Sequence, residues 1–347
     1  MSLTELEFQG ETTGSGPVQV IQGRSPWVLA WRRLRQDKVA VASGIIILLL
    51  ALLAVLAPVI AAWVGHPPNT PYTNKGLSST GLPVAPSSTF FFGTDQLGRD
   101  LFVRVLYGAQ VSLLVGFVST AIGTVLGVAV GMTAGYFGGW IDTVLARSTD
   151  AVLAFPYVVL ALALAVVFGP SLLEVIVVIS FFSWAAIARV VRGQTLSIKE
   201  KEYIEAARSI GASPWRIMIL DIMPNLIAPV LVLATLSIPA AIVFEATLDF
   251  LGLGVQPPAA SWGNILAGAQ SYYQEAWWYL VFPALALVIT TVAFNLLGDG
   301  VRDAMDPRTE RIFAAGRKRK RKGTSAPPAG GPSTQYPDPP RQPSPGV

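Results

Sequence analysis

An all-α protein that crosses a membrane six times is what this sequence predicts, and three observations carry the prediction. The chain is 347 residues long, 52% hydrophobic and only 13% charged, with a mean hydropathy of +0.54. That is far too apolar for a soluble domain of this size. Six apolar runs stand out, 39–64, 111–135, 149–167, 172–191, 226–251 and 278–297, each close to the roughly 20 residues a helix needs to cross hydrocarbon. Lipid supplies no water to satisfy an open strand edge, so all six are expected to be helices.

Residues 1–38 form an N-terminal segment whose composition predicts disorder to about residue 24. The run 39–64 reads as a first span rather than a cleaved signal, because 38 residues precede it and it is too long for an h-region. Residues 65–110 form a long loop that starts irregular, with Pro67, Pro68, Pro71, Pro83 and Pro86, and then turns helical over Asp100–Tyr107. A core of five further spans fills 111–300 and includes a polar loop at 192–225. Pro156 and Pro283 are expected to kink the third and sixth spans by removing a backbone donor. The tail 301–347 carries Arg317–Lys322, RKRKRK, before a Pro-, Gly- and Ser-rich stretch. Beside a membrane such a run points to anionic lipid rather than to nucleic acid.

Charge sets orientation. Of 25 Lys and Arg, only Lys75, Arg99 and Arg104 lie in the 66–109 loop, and none lies in the short links near Gly169 and Pro257. By the positive-inside rule both termini and the 192–225 loop are cytoplasmic. There is no cysteine and the only histidine is His66, which excludes disulfides, thiolate metal sites and serine–histidine chemistry. No G-x-x-x-x-G-K-[ST] loop is present, so the chain has no recognisable cradle for nucleotide phosphates and is not expected to be an enzyme.

Glu205–Pro224, EAARSIGASPWRIMILDIMP, is polar and basic-flanked between two spans. Ser197 and Glu200 have capping-box spacing, which predicts a helix start there. Tyr203, Ala206, Ala207 and Ile210 then share one apolar face, and Gly211 ends the helix by entering the left-handed region. Ser213 and Pro214 suit the start of a second helix, Trp215–Met223, expected to stop at Pro224. The small alanines would let another protein approach closely, whereas on pattern alone the same helix could lie on a membrane surface.

Glu205, Ala206, Ala207, Gly211 and Pro224 together resemble the EAA motif of importer permeases of the ATP-binding cassette superfamily, with Asp221 and Met223 replacing the Ile and Leu usual before the proline. Ser25–Val41, Phe92–Asp100 and Phe250–Asn264 resemble segments of the dipeptide and oligopeptide importer permease that has a long outer loop after its first span. The likeness covers residues 25–308. It implies a type I importer permease fold, a second homologous permease, two cytoplasmic ATPase subunits that bind ATP and Mg, and an extracytoplasmic peptide-binding protein. The EAA residues would couple to the ATPases, with Glu205 bonding the groove rim, Ala206 and Ala207 giving clearance and Gly211 setting the bend. Related permeases serve nickel or other small solutes. An ion-coupled secondary transporter would be expected to show internal repeats, which are not evident here, and a pore-free receptor would leave the docking helices unexplained.

Two further sets of residues are candidates. Gly123, Gly127, Gly131 and Gly135 recur every four residues on one face of the second span, a packing seam before it is a pathway; its partner helix could be in this chain or in another subunit. Glu245 and Asp249 lie one turn apart, roughly 30 Å along the fifth span at 1.5 Å per residue, with Pro239 below them as a possible kink. They could line an outer vestibule and attract a peptide's ammonium group, or pair with polar groups of 256–264 and hold a subunit contact. Arg147 and Asp150 are expected to pair at i, i+3, and Glu174 to sit at headgroup level.

Overall fold

The computed structural model describes residues 26–306; the expectations for the N-terminal 24 residues and for the basic tail lie outside them. The helices are α1 (Pro26–Gln36), α2 (Lys38–Val55), α3 (Ala57–Val64), α4 (Thr73–Gly76), α5 (Leu101–Phe137), α6 (Gly139–Ala154), α7 (Tyr157–Phe168), α8 (Leu172–Lys199), α9 (Glu202–Ser209), α10 (Pro214–Arg216), α11 (Met223–Phe250), α12 (Trp262–Ala269) and α13 (Trp277–Met305), with a π-helical turn at Ile217–Ile222 joining α10 to α11. Among the described residues there is no strand, only isolated bridges at Leu77–Pro83 and Thr94–Asp100. Five helices are long and apolar enough to cross a membrane, and six if the bent pair α6–α7 counts as one span.

Proline explains the two breaks. The first span is split at Leu56 into α2 and α3: Pro58 has no N–H to give the carbonyl of Ala54, and the Gln110 amide donates to that carbonyl instead at 2.7 Å. The third span turns by 83° at Phe155–Pro156. Phe155 is extended, at φ −83° and ψ 130°, as a residue before proline tends to be. Pro239 and Pro283 lie inside the continuous helices α11 and α13.

The bundle is centred on α5, which packs along α8 and also meets α11, while α13 packs on α2 and α11. The partner of the glycine seam is therefore in this chain. A Cβ on Gly127 would stand 2.7 Å from the Trp184 carbonyl, one on Gly131 2.5 Å from the Ala188 carbonyl and one on Gly135 2.9 Å from the Arg192 carbonyl; one on Gly123 would strike Ser183. Four missing side chains are what let these two backbones touch.

At the end where α5 begins, the 65–100 loop is fastened by buried charge. Asp100 caps α5, accepting from the Val103 amide at 3.1 Å and meeting His66 Nδ1 at 2.6 Å. Asp95 accepts from Arg99 Nε at 2.6 Å and lies 3.3 Å from Arg104 Nε. Arg104, 3% exposed, also donates to the carbonyls of Pro68 and Pro258 and to Asn69 Oδ1. Residues 36 and 154 positions away are thus tied to one guanidinium, whose planar fork suits several acceptors at once.

Candidate functional site

At the opposite end, α9 and the turn after it make an elbow between α8 and α11. It starts later than Ser197 suggests. α8 runs unbroken to Lys199, burying Thr195 and half-burying Ile198 against the core, so Ser197 lies in its last turn and cannot take the extended backbone a capping box needs. α9 begins after Lys201, at φ −81° and ψ 142°, without a side-chain cap.

The expected apolar face divides in two. Ile204, which the periodicity argument overlooked, is wholly buried with Ile217, Met218, Ile222 and Leu226, and Ala207 packs against the same cluster. Ala206, Tyr203 and Ile210 face outward, the last 85% exposed. Arg208 sets its guanidinium 5.4 Å from the Tyr136 ring centroid near the end of α5, and Asn225 Nδ2 donates to the Tyr203 hydroxyl at 3.3 Å. The elbow is therefore held by α5, α8 and the base of α11 while one surface stays open. Glu202 and Glu205 occupy the first turn of α9 and Arg208 its last, the placement that complements the helix dipole.

Gly211 makes the bend at φ +83°, a conformation a β-branched residue takes only under strain. Its amide donates to the Arg208 carbonyl at 2.9 Å and that of Ala212 to the Ala207 carbonyl at 3.0 Å. Ser213 then caps α10, accepting from the Arg216 amide, and Pro214 fills the first turn, as its spacing suggests. The second helix does not stop at Pro224. The π turn at 217–222 precedes it, with the Met223 amide donating five residues back to the Met218 carbonyl. That wider turn makes room for the proline ring, and the helix continues to Phe250.

Glu245 and Asp249 are brought together one turn apart, but both are buried, at 0% and 2% exposure. In this conformation neither presents a carboxylate to an outer vestibule. Asp249 accepts from the Val255 amide at 2.8 Å and from the Ser261 hydroxyl, so it binds the loop that follows α11. The Glu245 carboxylate faces Ser112 and Asp249, its polar neighbours. Of the two readings weighed for this pair, Asp249 follows the tie to polar groups of 256–264, through Ser261. Arg147 does lie 3.6 Å from Asp150, yet Arg189 approaches the same carboxylate more closely, at 2.8 Å. Glu174 is buried, and its carboxylate has no hydrogen-bond partner among the described residues.

Comparison with known proteins decides the family. Residues 127–311, just over half of the chain, match the binding-protein-dependent transport system inner membrane component. The chain belongs to that family of permeases. Residues 25–78 of the permease match the N-terminal TM domain of oligopeptide transport permease C. The glutathione transport system permease protein GsiD of Escherichia coli O157:H7 is 43% identical over 288 residues, 83% of this chain and 92% of that one. The dipeptide transport system permease protein DppC of Bacillus subtilis strain 168 is 42% identical over 283 residues, 81% and 86% of the two chains. The permease is the membrane-spanning, non-catalytic subunit of an ATP-binding cassette importer, and the elbow carries the residues that resemble the family's EAA motif.

Proposed function

We propose that this permease forms half of the translocation pore of a di- or oligopeptide importer and receives its driving force through the α9 elbow. The observation that carries the reading is the split character of α9. Ile204 and Ala207 fix it to α5, α8 and α11, while Ala206, Ile210 and Trp215 stay exposed. A soluble motor gripping the exposed face would move the helix ends as one body, because a closely packed interior transmits displacement rather than absorbing it. In this account ATP and Mg bind to two cytoplasmic ATPase subunits, since the chain has no phosphate-binding loop of its own. A second homologous permease completes the pore, and a binding protein on the other side delivers peptide. The distribution of Lys and Arg supports cytoplasmic termini and a cytoplasmic elbow. The peptide substrate is supported by the named activities of the glutathione and dipeptide relatives.

Within the elbow, Glu205 bonds polar groups at the rim of the ATPase groove. Ala206 gives clearance at the contact, Ala207 anchors the helix from behind, Gly211 sets the bend and Pro224 lies where the π turn passes into α11. Gly211→Val and Ala206→Trp are the tests, in the reconstituted complex. The expected result is normal membrane insertion, with ATP hydrolysis no longer stimulated by peptide and uptake lost. Normal copurification with the ATPases together with wild-type uptake in both variants would overturn the coupling role.

A further inference from the structure

The helix that precedes the first span presents a face that the importer reading does not use. α1 is amphipathic in an unusual sense: Leu29, Ala30, Arg33 and Leu34 are partly covered, α1 packs on α13, and Arg33 Nη1 donates to the Ala304 carbonyl at 3.4 Å. The other side leaves Trp27 48%, Val28 57% and Trp31 57% exposed. Arg32 and Arg35 are exposed too, and the Arg35 guanidinium sits 5.1 Å from the centroid of the Trp31 ring. At 3.6 residues per turn these five residues fall within an arc of about 140°. One stripe therefore mixes two indoles, a valine and two cations.

Neither water nor hydrocarbon suits such a stripe, because water disfavours the apolar groups and hydrocarbon disfavours the guanidinium groups. The boundary between headgroups and acyl chains suits both, and tryptophan and arginine are the residues that concentrate there. Position agrees with composition. Asp37 alone separates α1 from the membrane-spanning α2, whose first turn it caps at 2.9 Å from the Val39 amide. A helix of 11 residues, about 16 Å long at 1.5 Å per residue, thus starts from the point where the chain enters the bilayer. α1 contains no acidic residue, so its exposed cations await an anion from outside it.

We infer that α1 is an interfacial anchor, lying along the bilayer surface with Trp27, Val28 and Trp31 in the lipid and Arg32 and Arg35 on anionic phospholipid headgroups. The surface it needs is lipid, and it is independent of which solute the importer carries. The chain has no cysteine, so a spin label on Val28→Cys, in a full importer whose other subunits have had their reactive cysteines replaced, reports this site alone. In bilayers of phosphatidylcholine with phosphatidylglycerol, collision with oxygen should exceed collision with a water-soluble nickel chelate. Substituting Arg32→Gln and Arg35→Gln should weaken phosphatidylglycerol binding at this site by about thirtyfold, the attraction of two near-surface arginines, and lower the phosphatidylglycerol retained by the purified complex. A label at Val28 that meets nickel as freely as oxygen would overturn the inference. So would a label shielded from both, since protein would then cover the face. Retention of phosphatidylglycerol unchanged by the two glutamines would overturn the anionic-lipid assignment.

Discussion

Replacing Gly131 by alanine tests the close packing of α5 on α8, on which the proposed force transmission depends. The added Cβ would lie 2.5 Å from the Ala188 carbonyl oxygen and 3.0 Å from its Cα. Ordinary contact is about 3.5 Å, so α8 would have to retreat by about 1 Å. The obstacle is backbone, which cannot rotate aside as a flexible side chain can. Gly127 and Gly135 lie one turn away on either side, at 2.7 and 2.9 Å from the facing carbonyls, so the retreat would open their contacts as well. Overpacking of this kind costs about 1–3 kcal/mol, offset by up to about 1 kcal/mol from the better helix propensity of alanine. Gly193 supplies the control: it is an exposed glycine of α8 with nothing within 4 Å of the Cβ position. Gly193→Ala should be neutral or stabilising by up to about 1 kcal/mol. Equilibrium unfolding of the purified chain in mixed micelles, titrated with a denaturing detergent, would read both. Equal effects for the two substitutions would refute the close-approach argument.

Asp249→Ala leaves the buried Val255 amide and Ser261 hydroxyl without their acceptor, at about 1–3 kcal/mol each. Limited proteolysis should then cut between 251 and 261, Asp249→Asn should fall between wild type and alanine, and wild-type resistance in the alanine variant would count against the tie. Arg104→Met removes the cation that joins Asp95 to the carbonyls of Pro68 and Pro258. Asp95 keeps Arg99 at 2.6 Å, so the cost should fall below the roughly 3–5 kcal/mol of stranding a buried charge, yet amide exchange across 66–100 should still accelerate; unchanged protection would show that Arg104 does not hold the loop.

Much of this fold was legible because membrane helices announce themselves by composition. The six apolar runs, the Pro156 bend, the glycine seam, the Gly211 turn and the Ser213 cap all follow from local chemistry. What was not legible depended on distant partners. Ser197 and Glu200 have capping-box spacing, but the packing of Thr195 and Ile198 keeps α8 helical through Ser197 to Lys199. Pro224 reads as a stop because the π turn that accommodates it is not encoded in spacing. Ile204 fell off the face counted from Tyr203, yet it is the residue that fastens the elbow, and an isolated β-branched residue in a charged helix was the only hint. For Glu245 and Asp249, the spacing left an outer vestibule or a tie to polar groups of 256–264 open, and Asp249 makes that tie through Ser261. That Ser261, the N-cap of α12 accepting from the Asn264 amide, comes within bonding distance of Asp249 is a tertiary fact. The clamp around Arg104 joins residues up to 154 positions apart, beyond the reach of any local pattern.

The central claim is that the exposed side of α9 is where the motor grips. A cysteine at Ile210, in a chain that otherwise has none, allows one decisive measurement in sealed membrane vesicles containing the whole importer. The account predicts that Ile210→Cys cross-links to an ATPase subunit through a short bifunctional reagent, and that the yield changes when ATP is added. Reaction of that cysteine with a membrane-impermeant reagent from the side that takes up substrate would contradict it, as would a transport-active complex in which no such cross-link forms.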